Sequence, residues 1–335
     1  MIFEAAPVFY KYNNQVNYLI TGGLGFIGSH VVKNLLSSGN RVKVLDDIST
    51  GDLSNLDPNL HKYEFIDGDI RDSKLVSNLM RDVDTVIHLA ASLGVSNIVN
   101  KTVESISINI DGSLVVLKTA AELNKRILIA STSEVYGKNP KQPLSEDDDR
   151  VIGSPQKIRW SYSDAKAIEE SIATSLHLTQ GLKVTTIRFF NTVGPRQTGK
   201  YGMVLPKFVK SALLGDPIIV HGDGEQTRVF CHVLDAVAGI DAILKDDSTI
   251  GEVYNLGGVG EISINDLAKK VIAATNSNSE LIHVEYSDVY PVGFEDMQRR
   301  VPNIEKLSTK TGWKPTYSLD QIILDIATHM KQYEL

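Results

Sequence analysis

Short apolar runs separated by amphipathic stretches dominate the first half of the chain. Asn17-Tyr-Leu-Ile-Thr21, Arg41-Val-Lys-Val-Leu45, Lys62-Tyr-Glu-Phe-Ile66, Asp84-Thr-Val-Ile-His88 and Arg126-Ile-Leu-Ile-Ala130 are each five residues long. Their apolar character and flanking turn residues predict buried strands. A further run, Leu182-Lys-Val-Thr-Thr-Ile-Arg-Phe-Phe190, follows. Between them lie apolar residues at helical spacing, as in Ser29 to Ser38 and Asn97 to Asn124. Strand alternating with helix in this way argues for an α/β fold with a doubly wound parallel sheet. After Phe190 the alternation gives way to short strands, loops and scattered helices, as expected of a smaller α/β lobe over the strand ends. The division this suggests is an extension at 1–16 without clean period, a sheet domain over 17–190, and a substrate lobe over 191–335. Residues 229–256 are expected to return to the sheet domain.

Composition narrows the class. A chain of 335 residues with 42% hydrophobic content can bury a substantial core. A net charge of −7 without a basic tract disfavours a nucleic-acid partner and leaves a small ligand as the expectation. The single cysteine, Cys231, excludes an internal disulfide, and no Cys/His cluster has zinc spacing, so no metal is expected. Both suit a reducing cytoplasm. No apolar run of about 18 residues is present to span a membrane, and no basic-then-apolar leader opens the chain. A soluble cytoplasmic protein is expected.

Candidate chemistry sits where strands end. The first strand runs into Gly22-Gly-Leu-Gly25-Phe26-Ile27-Gly28 and then a helical pattern. Glycines at that spacing permit a tight turn, close approach of a pyrophosphate and close helix–strand packing, with the helix N-terminus facing the phosphates. The second strand ends in Asp46-Asp47, about twenty residues on, where a carboxylate can accept the ribose hydroxyls and repel a 2′-phosphate. That favours NAD over NADP, although one of the two aspartates can equally be a loop solubiliser. Asp69 and Ile70, after the third strand, could meet the adenine. Leu89-Ala90-Ala91-Ser92, after the fourth, leave room for a ligand against the backbone.

The fifth strand gives way to Ser131-Thr132-Ser133-Glu134, hydroxyls and one carboxylate. Tyr162 and Lys166 lie four residues apart, one turn along a helix. An ammonium beside a phenol lowers its pKa, and such a tyrosine can take a proton from an alcohol. A lone pair at this spacing would more often be an ordinary amphipathic helix; the nucleotide loop upstream tips the balance. Arg228 follows the polar turn Gly222 to Thr227, and Arg299-Arg300 precede a helix start, with guanidinium geometry suited to phosphate or carboxylate.

These motifs, in this order, resemble the extended short-chain dehydrogenase/reductase family, in particular its nucleotide-sugar epimerases, dehydratases and decarboxylases, from about Tyr18 onward. The resemblance implies a Rossmann domain holding NAD and a C-terminal lobe holding a nucleoside-diphosphate sugar, a UDP-sugar in the leading reading. It implies Thr132 as the hydroxyl position and Tyr162 with Lys166 as the catalytic pair. Asn191, Arg228 and one of Arg299 or Arg300 fall where the family contacts the nucleotide sugar, with Ser92 and Lys207 as further contacts. The segments Ile152 to Tyr162 and Phe294 to Pro302 are similar to UDP-glucuronate decarboxylases and UDP-apiose synthases, an alignment that puts Arg300 at the reacting sugar. Glu134 fits that decarboxylase and equally the GDP-mannose dehydratases.

Oxidation at carbon 4 is the step common to the family, and the 4-keto sugar then has three fates. A carboxylate on carbon 5 leaves as carbon dioxide; Glu134 removes the carbon 5 proton and water is eliminated; or the sugar turns over and is reduced on its other face. Glu134 and Arg300 favour decarboxylation of a UDP-glucuronate-type substrate. A 4-epimerase of UDP-glucose or UDP-glucuronate comes next, then a 4,6-dehydratase. A non-catalytic NAD-sensing regulator is disfavoured because such proteins commonly lose the Tyr/Lys pair. The segment Asn97 to Asn124 and the Tyr162 helix are candidates for a homodimer contact, although packing within one chain explains the same pattern.

Overall fold

A computed structural model describes residues 15–57, 63–94, 101–199, 203–289, 295 and 297–335. Most of the expected N-terminal extension, together with Lys62 and Phe294, lies outside the described residues.

Seven strands form one parallel sheet. They are β1 (Asn17–Thr21), β2 (Arg41–Asp46), β3 (Tyr63–Asp67), β4 (Thr85–His88), β5 (Arg126–Thr132), β6 (Lys183–Phe189) and, late in the chain, β11 (Val253–Leu256). Their spatial order is β11-β6-β5-β4-β1-β2-β3. The order reverses between β1 and β4, which leaves a crevice at the carboxyl ends of the strands where open α/β sheets bind ligands.

The apolar runs become strands because both faces are covered. Leu19, Leu45, Val86, Ile127 and Ile129 pack under one layer of helices, and Ile20, Val44, Ile87, Leu128 and Ile187 under the other. The stretch 229–256 contributes β11 beside β6 and a helix, Val233–Leu244, against the helix Phe26–Ser37.

The long helical segment is two helices, Thr102–Ser107 and Ser113–Glu122, joined by a π-helical turn at Ile108–Gly112. A π-turn is commonly a functional irregularity, and this one does local work. Its buried Asn109 accepts the Ser92 N–H and donates to the Ser92 carbonyl, both at 2.9 Å, pinning the loop after β4.

The lobe is built from short strands: β7 (Thr192–Val193), β8 (Ile218–His221), β9 (Thr227–Arg228), β10 (Cys231–His232), β12 (Ile262–Ser263), β13 (Leu281–Val284) and β14 (Arg299–Arg300). Helices Val204–Leu214, Ile264–Thr275 and Leu319–Tyr333 close a third core around Phe208, Leu267, Ile323 and Ile326. Parallel pairing of β14 with β9 sets Arg300 opposite Arg228. Among the described residues no helix is long and apolar enough to cross a membrane.

Candidate active site

The nucleotide end is shaped by two glycines. Gly22 has φ +72°, and a Cβ on it would lie 2.7 Å from the Ala90 nitrogen. At Gly28 a Cβ would come within 2.1 Å of the Gly22 carbonyl oxygen. Only hydrogen fits at either position, so the loop backbone and the start of the helix at Phe26 stay open toward the crevice.

Gly22, Gly25, Phe26, Ile27 and Gly28 line that crevice, as do Asp46, Asp47, Asp69, Ile70 and the Leu89–Ala91 backbone. Asp46 is buried; its carboxylate accepts the N–H groups of Leu24 and Ile48 at 2.9 Å each, which braces the glycine loop. Burial pushes its pKa up, against those two hydrogen bonds. Asp47 is exposed and accepts the Ser49 N–H and hydroxyl in its own loop. Asp69 is held below the ordinary carboxylate range by its hydrogen bonds to Arg71, a surface pair at 2.5 Å, and Ile70 is buried beside it. A backbone stripped of Cβ atoms before a helix N-terminus, with a braced carboxylate at the next strand end, fits NAD.

The catalytic end begins where β5 stops. Thr132 Oγ1 accepts the Glu134 N–H at 3.2 Å, capping a short 3₁₀ turn over Ser133–Tyr136. That turn aims Glu134 into the crevice, where Arg159 donates to both carboxylate oxygens at 2.6 and 3.1 Å and Arg300 stands at 3.6 Å. Burial works to raise the Glu134 pKa, but Arg159 and then Arg300 and Arg228 outweigh it, and the carboxyl lies below its usual range. Glu134 is a held carboxylate in this geometry, kept ionised and accepting hydrogen bonds.

Tyr162 and Lys166 both line the crevice from the helix Ser161–Gln180. Lys166 is not among the groups that act on the Tyr162 phenol in this arrangement. Lys166 Nζ donates instead to Glu169 at 2.7 Å, both side chains almost wholly buried. Burial, then the negative charges of Glu134 and Glu169, push the Tyr162 phenol up, with Arg159 alone acting the other way.

On the lobe side, Asn191 sits at φ +31°, donates to the Val229 carbonyl at 2.8 Å and accepts from Arg300 Nη2. Arg228, buried, donates to the Thr227 carbonyl at 2.8 Å. Arg228, Arg300, Asn191, Lys207 and Ser92 line the same crevice as Thr132, Glu134, Tyr162 and Lys166.

Arg299 does not line it. Along a strand neighbouring side chains point to opposite faces, and Arg299 turns out to an ion pair with Glu261 at 2.5 Å. Assigning Arg299 to the substrate is corrected on that ground. Arg159 and Glu169 belong to this charge network but carry little signal in the sequence. For Arg159 the only signal was a lone arginine three residues before the tyrosine in an aperiodic segment; for Glu169, helical spacing from Lys166.

A parallel sheet with a glycine loop and a Tyr/Lys pair beside a strand-end threonine defines a nucleotide-dependent short-chain oxidoreductase. The profile of the GDP-mannose 4,6-dehydratase family matches residues 19–326, and the chain belongs to that family, among the extended short-chain dehydrogenase/reductases. It is an NAD-dependent nucleotide-sugar enzyme. The chain is 40% identical to a UDP-N-acetyl-α-D-glucosaminuronate decarboxylase of Bacillus cytotoxicus, over 94% of its own length and 98% of the relative's. It is 32% identical to UDP-glucuronic acid decarboxylase 1 of Xenopus tropicalis, over 93% of its length and 72% of that protein's. The crystal structure of a Bacillus cereus UDP-glucuronic acid 4-epimerase, in complex with UDP-glucuronic acid and NAD, matches with a TM-score of 0.84 at 28% identity, covering 94% of this chain and 99% of that one.

Proposed function

We propose that this enzyme decarboxylates a UDP-hexuronate, UDP-glucuronate or its 2-acetamido counterpart. The observation that carries the reading is the grouping of Glu134, Arg159 and Arg300 in the crevice that Tyr162 also lines. Guanidinium groups gathered at one end of the crevice suit a carboxylate on the sugar, which they can hold with two parallel hydrogen bonds. The decarboxylases among its relatives act on substrates of that class.

Bound NAD supplies the hydride acceptor for oxidation of carbon 4 and returns the hydride at the end. Tyr162, once ionised to the phenolate, accepts the carbon 4 hydroxyl proton, Thr132 hydrogen-bonds the same oxygen, and Lys166 orients the ribose. The sugar carboxylate, now β to a ketone, leaves as carbon dioxide, its bonding electrons pass into an enolate, and carbon 5 then takes one proton from a solvent water that the Glu134 carboxylate holds. Asn191 and Arg228 hold the nucleotide sugar from the lobe, with Lys207 toward the phosphates.

The test is product analysis by NMR after incubation with UDP-glucuronate and UDP-N-acetylglucosaminuronate in deuterated water. Carbon dioxide with one deuteron on carbon 5 is expected from at least one of them. A product keeping its carboxylate and inverted at carbon 4 would replace this reading with epimerisation.

The same reading takes the enzyme as a cytoplasmic homodimer. The buried thiol of Cys231 suits a reducing compartment, and exposed Val103 and Ile168 on the two candidate helices suit a helix-to-helix contact. Sedimentation giving a monomer would remove the dimer.

A further inference from the structure

We propose that Glu169 is a positioning residue that takes up the charge of Lys166 and links the Tyr162 helix, through Ser113, His88 and Thr21, to the strand end carrying the nucleotide loop. The inference rests on Tyr162 acting as the base in the reaction proposed above.

Tyr162, Lys166 and Glu169 occupy positions i, i+4 and i+7 of one helix, so they share a face. Glu169 lies one turn below Lys166 at 1% side-chain exposure, and its Oε2 takes the ammonium at 2.7 Å. Glu169 Oε1 meets no donor at ordinary hydrogen-bond geometry, and burial pushes the Glu169 pKa up, against the Lys166 ammonium and then the Ser113 hydroxyl, which favour the charged form. Ser113 Oγ lies 2.9 Å from His88 Nε2, and His88 Nδ1 lies 2.6 Å from Thr21 Oγ1.

The Ala90 N–H donates to Thr21 Oγ1 at 3.3 Å, so the backbone after β4 joins the same run of buried polar groups. The direction of the two hydrogen bonds at His88 follows its tautomer, since the Thr21 and Ser113 hydroxyls can each donate or accept.

The consequence concerns Tyr162. The charged and titratable groups around it and its partners are Glu134 and Arg159 before the helix, Lys166, Glu169 and Glu170 on it, His88 from β4, and Arg300 and Arg228 from the lobe. Of these, Glu134 and Glu169 oppose the phenolate. Removing the Glu169 charge makes Tyr162 easier to ionise, and leaving Lys166 uncompensated acts the same way.

The experiment compares wild type, Glu169→Gln and Glu169→Asp as NAD-loaded proteins. The rise of kcat with pH is followed at saturating UDP-hexuronate, and the tyrosinate absorbance that Tyr162→Phe abolishes is followed without substrate. In Glu169→Gln both curves are expected to move toward lower pH by about one unit or more, and in Glu169→Asp to return to the wild-type position. Coincident curves for Glu169→Gln and wild type overturn the proposal, even if the variant is less stable, since that is all a structural role would produce. If Glu169→Gln does not fold, Ser113→Ala carries the test: a smaller shift in the same direction is expected, and no shift overturns it. The absorbance titration needs no turnover, so it still reads Glu169 if no UDP-hexuronate is a substrate.

Discussion

Replacing Tyr162 by phenylalanine removes one oxygen and keeps the ring in its place, so the change tests the phenol alone. NAD affinity, read by direct titration, is expected to stay near wild type, while kcat falls by well over tenfold, a loss above about 1.4 kcal/mol. Glu134→Gln keeps a hydrogen-bonding group beside Arg159 but cannot exchange a proton. Carbon dioxide release is expected to drop by roughly 10²–10⁴-fold, the range typical of a lost acid-base group; retained release would remove Glu134 from the chemistry. Arg159→Met strips Glu134 of its main partner, and breaking a buried pair on one side costs about 3 kcal/mol. A lowered urea midpoint is the check. Thr132, Glu134, Tyr162 and Lys166 were legible because hydroxyls, a carboxylate and a four-residue spacing stand out against apolar strands. Arg159 was not, since nothing local tells an arginine facing a carboxylate from one facing water.

At the scale of elements, the glycine loop and the end of β2 carry the cofactor predictions. Gly28→Ala places a methyl group where only 2.1 Å separates it from the Gly22 carbonyl oxygen, so the loop must shift. NAD affinity should fall by at least roughly tenfold, as a shifted backbone loses phosphate contacts together; an unchanged titration would show that the loop can give way. The Asp46 carboxylate, fixed by two backbone N–H groups, should make NADP bind far less well than NAD. Comparable affinities for the two would count against that role. The core strands of the sheet were legible because strands buried on both faces read as continuous apolar runs. The choice between Arg299 and Arg300 was not, because it depends on the register of a two-residue strand against β9, a pairing with no local signal.

Across the whole molecule, buried His88 and half-buried His30 tie stability to pH. Burial holds His88 neutral, its pKa lowered from 6.5 to about 3 and further depressed by Lys166; burial likewise brings His30 down to about 4. Between about pH 6.5 and 4 the unfolded chain therefore binds protons that the folded chain does not. Stability is full above the ordinary histidine pKa and drains as the solution is acidified through that window. The urea midpoint is expected to fall between about pH 7.5 and 5, before most carboxylates titrate, and a constant midpoint would contradict it. The sequence by itself determined the order of strands and helices, the nucleotide loop and the Tyr162–Lys166 spacing, because each depends on residues within a turn or a strand of one another. Only the tertiary structure decided who neutralises whom. Lys166 finds Glu169 rather than Tyr162, Glu134 finds Arg159 and Arg300, and Arg300 finds Asn191, 109 residues away. Charges in a low-dielectric interior pair by distance in space, and that distance is set by sheet order and strand register rather than by spacing along the chain.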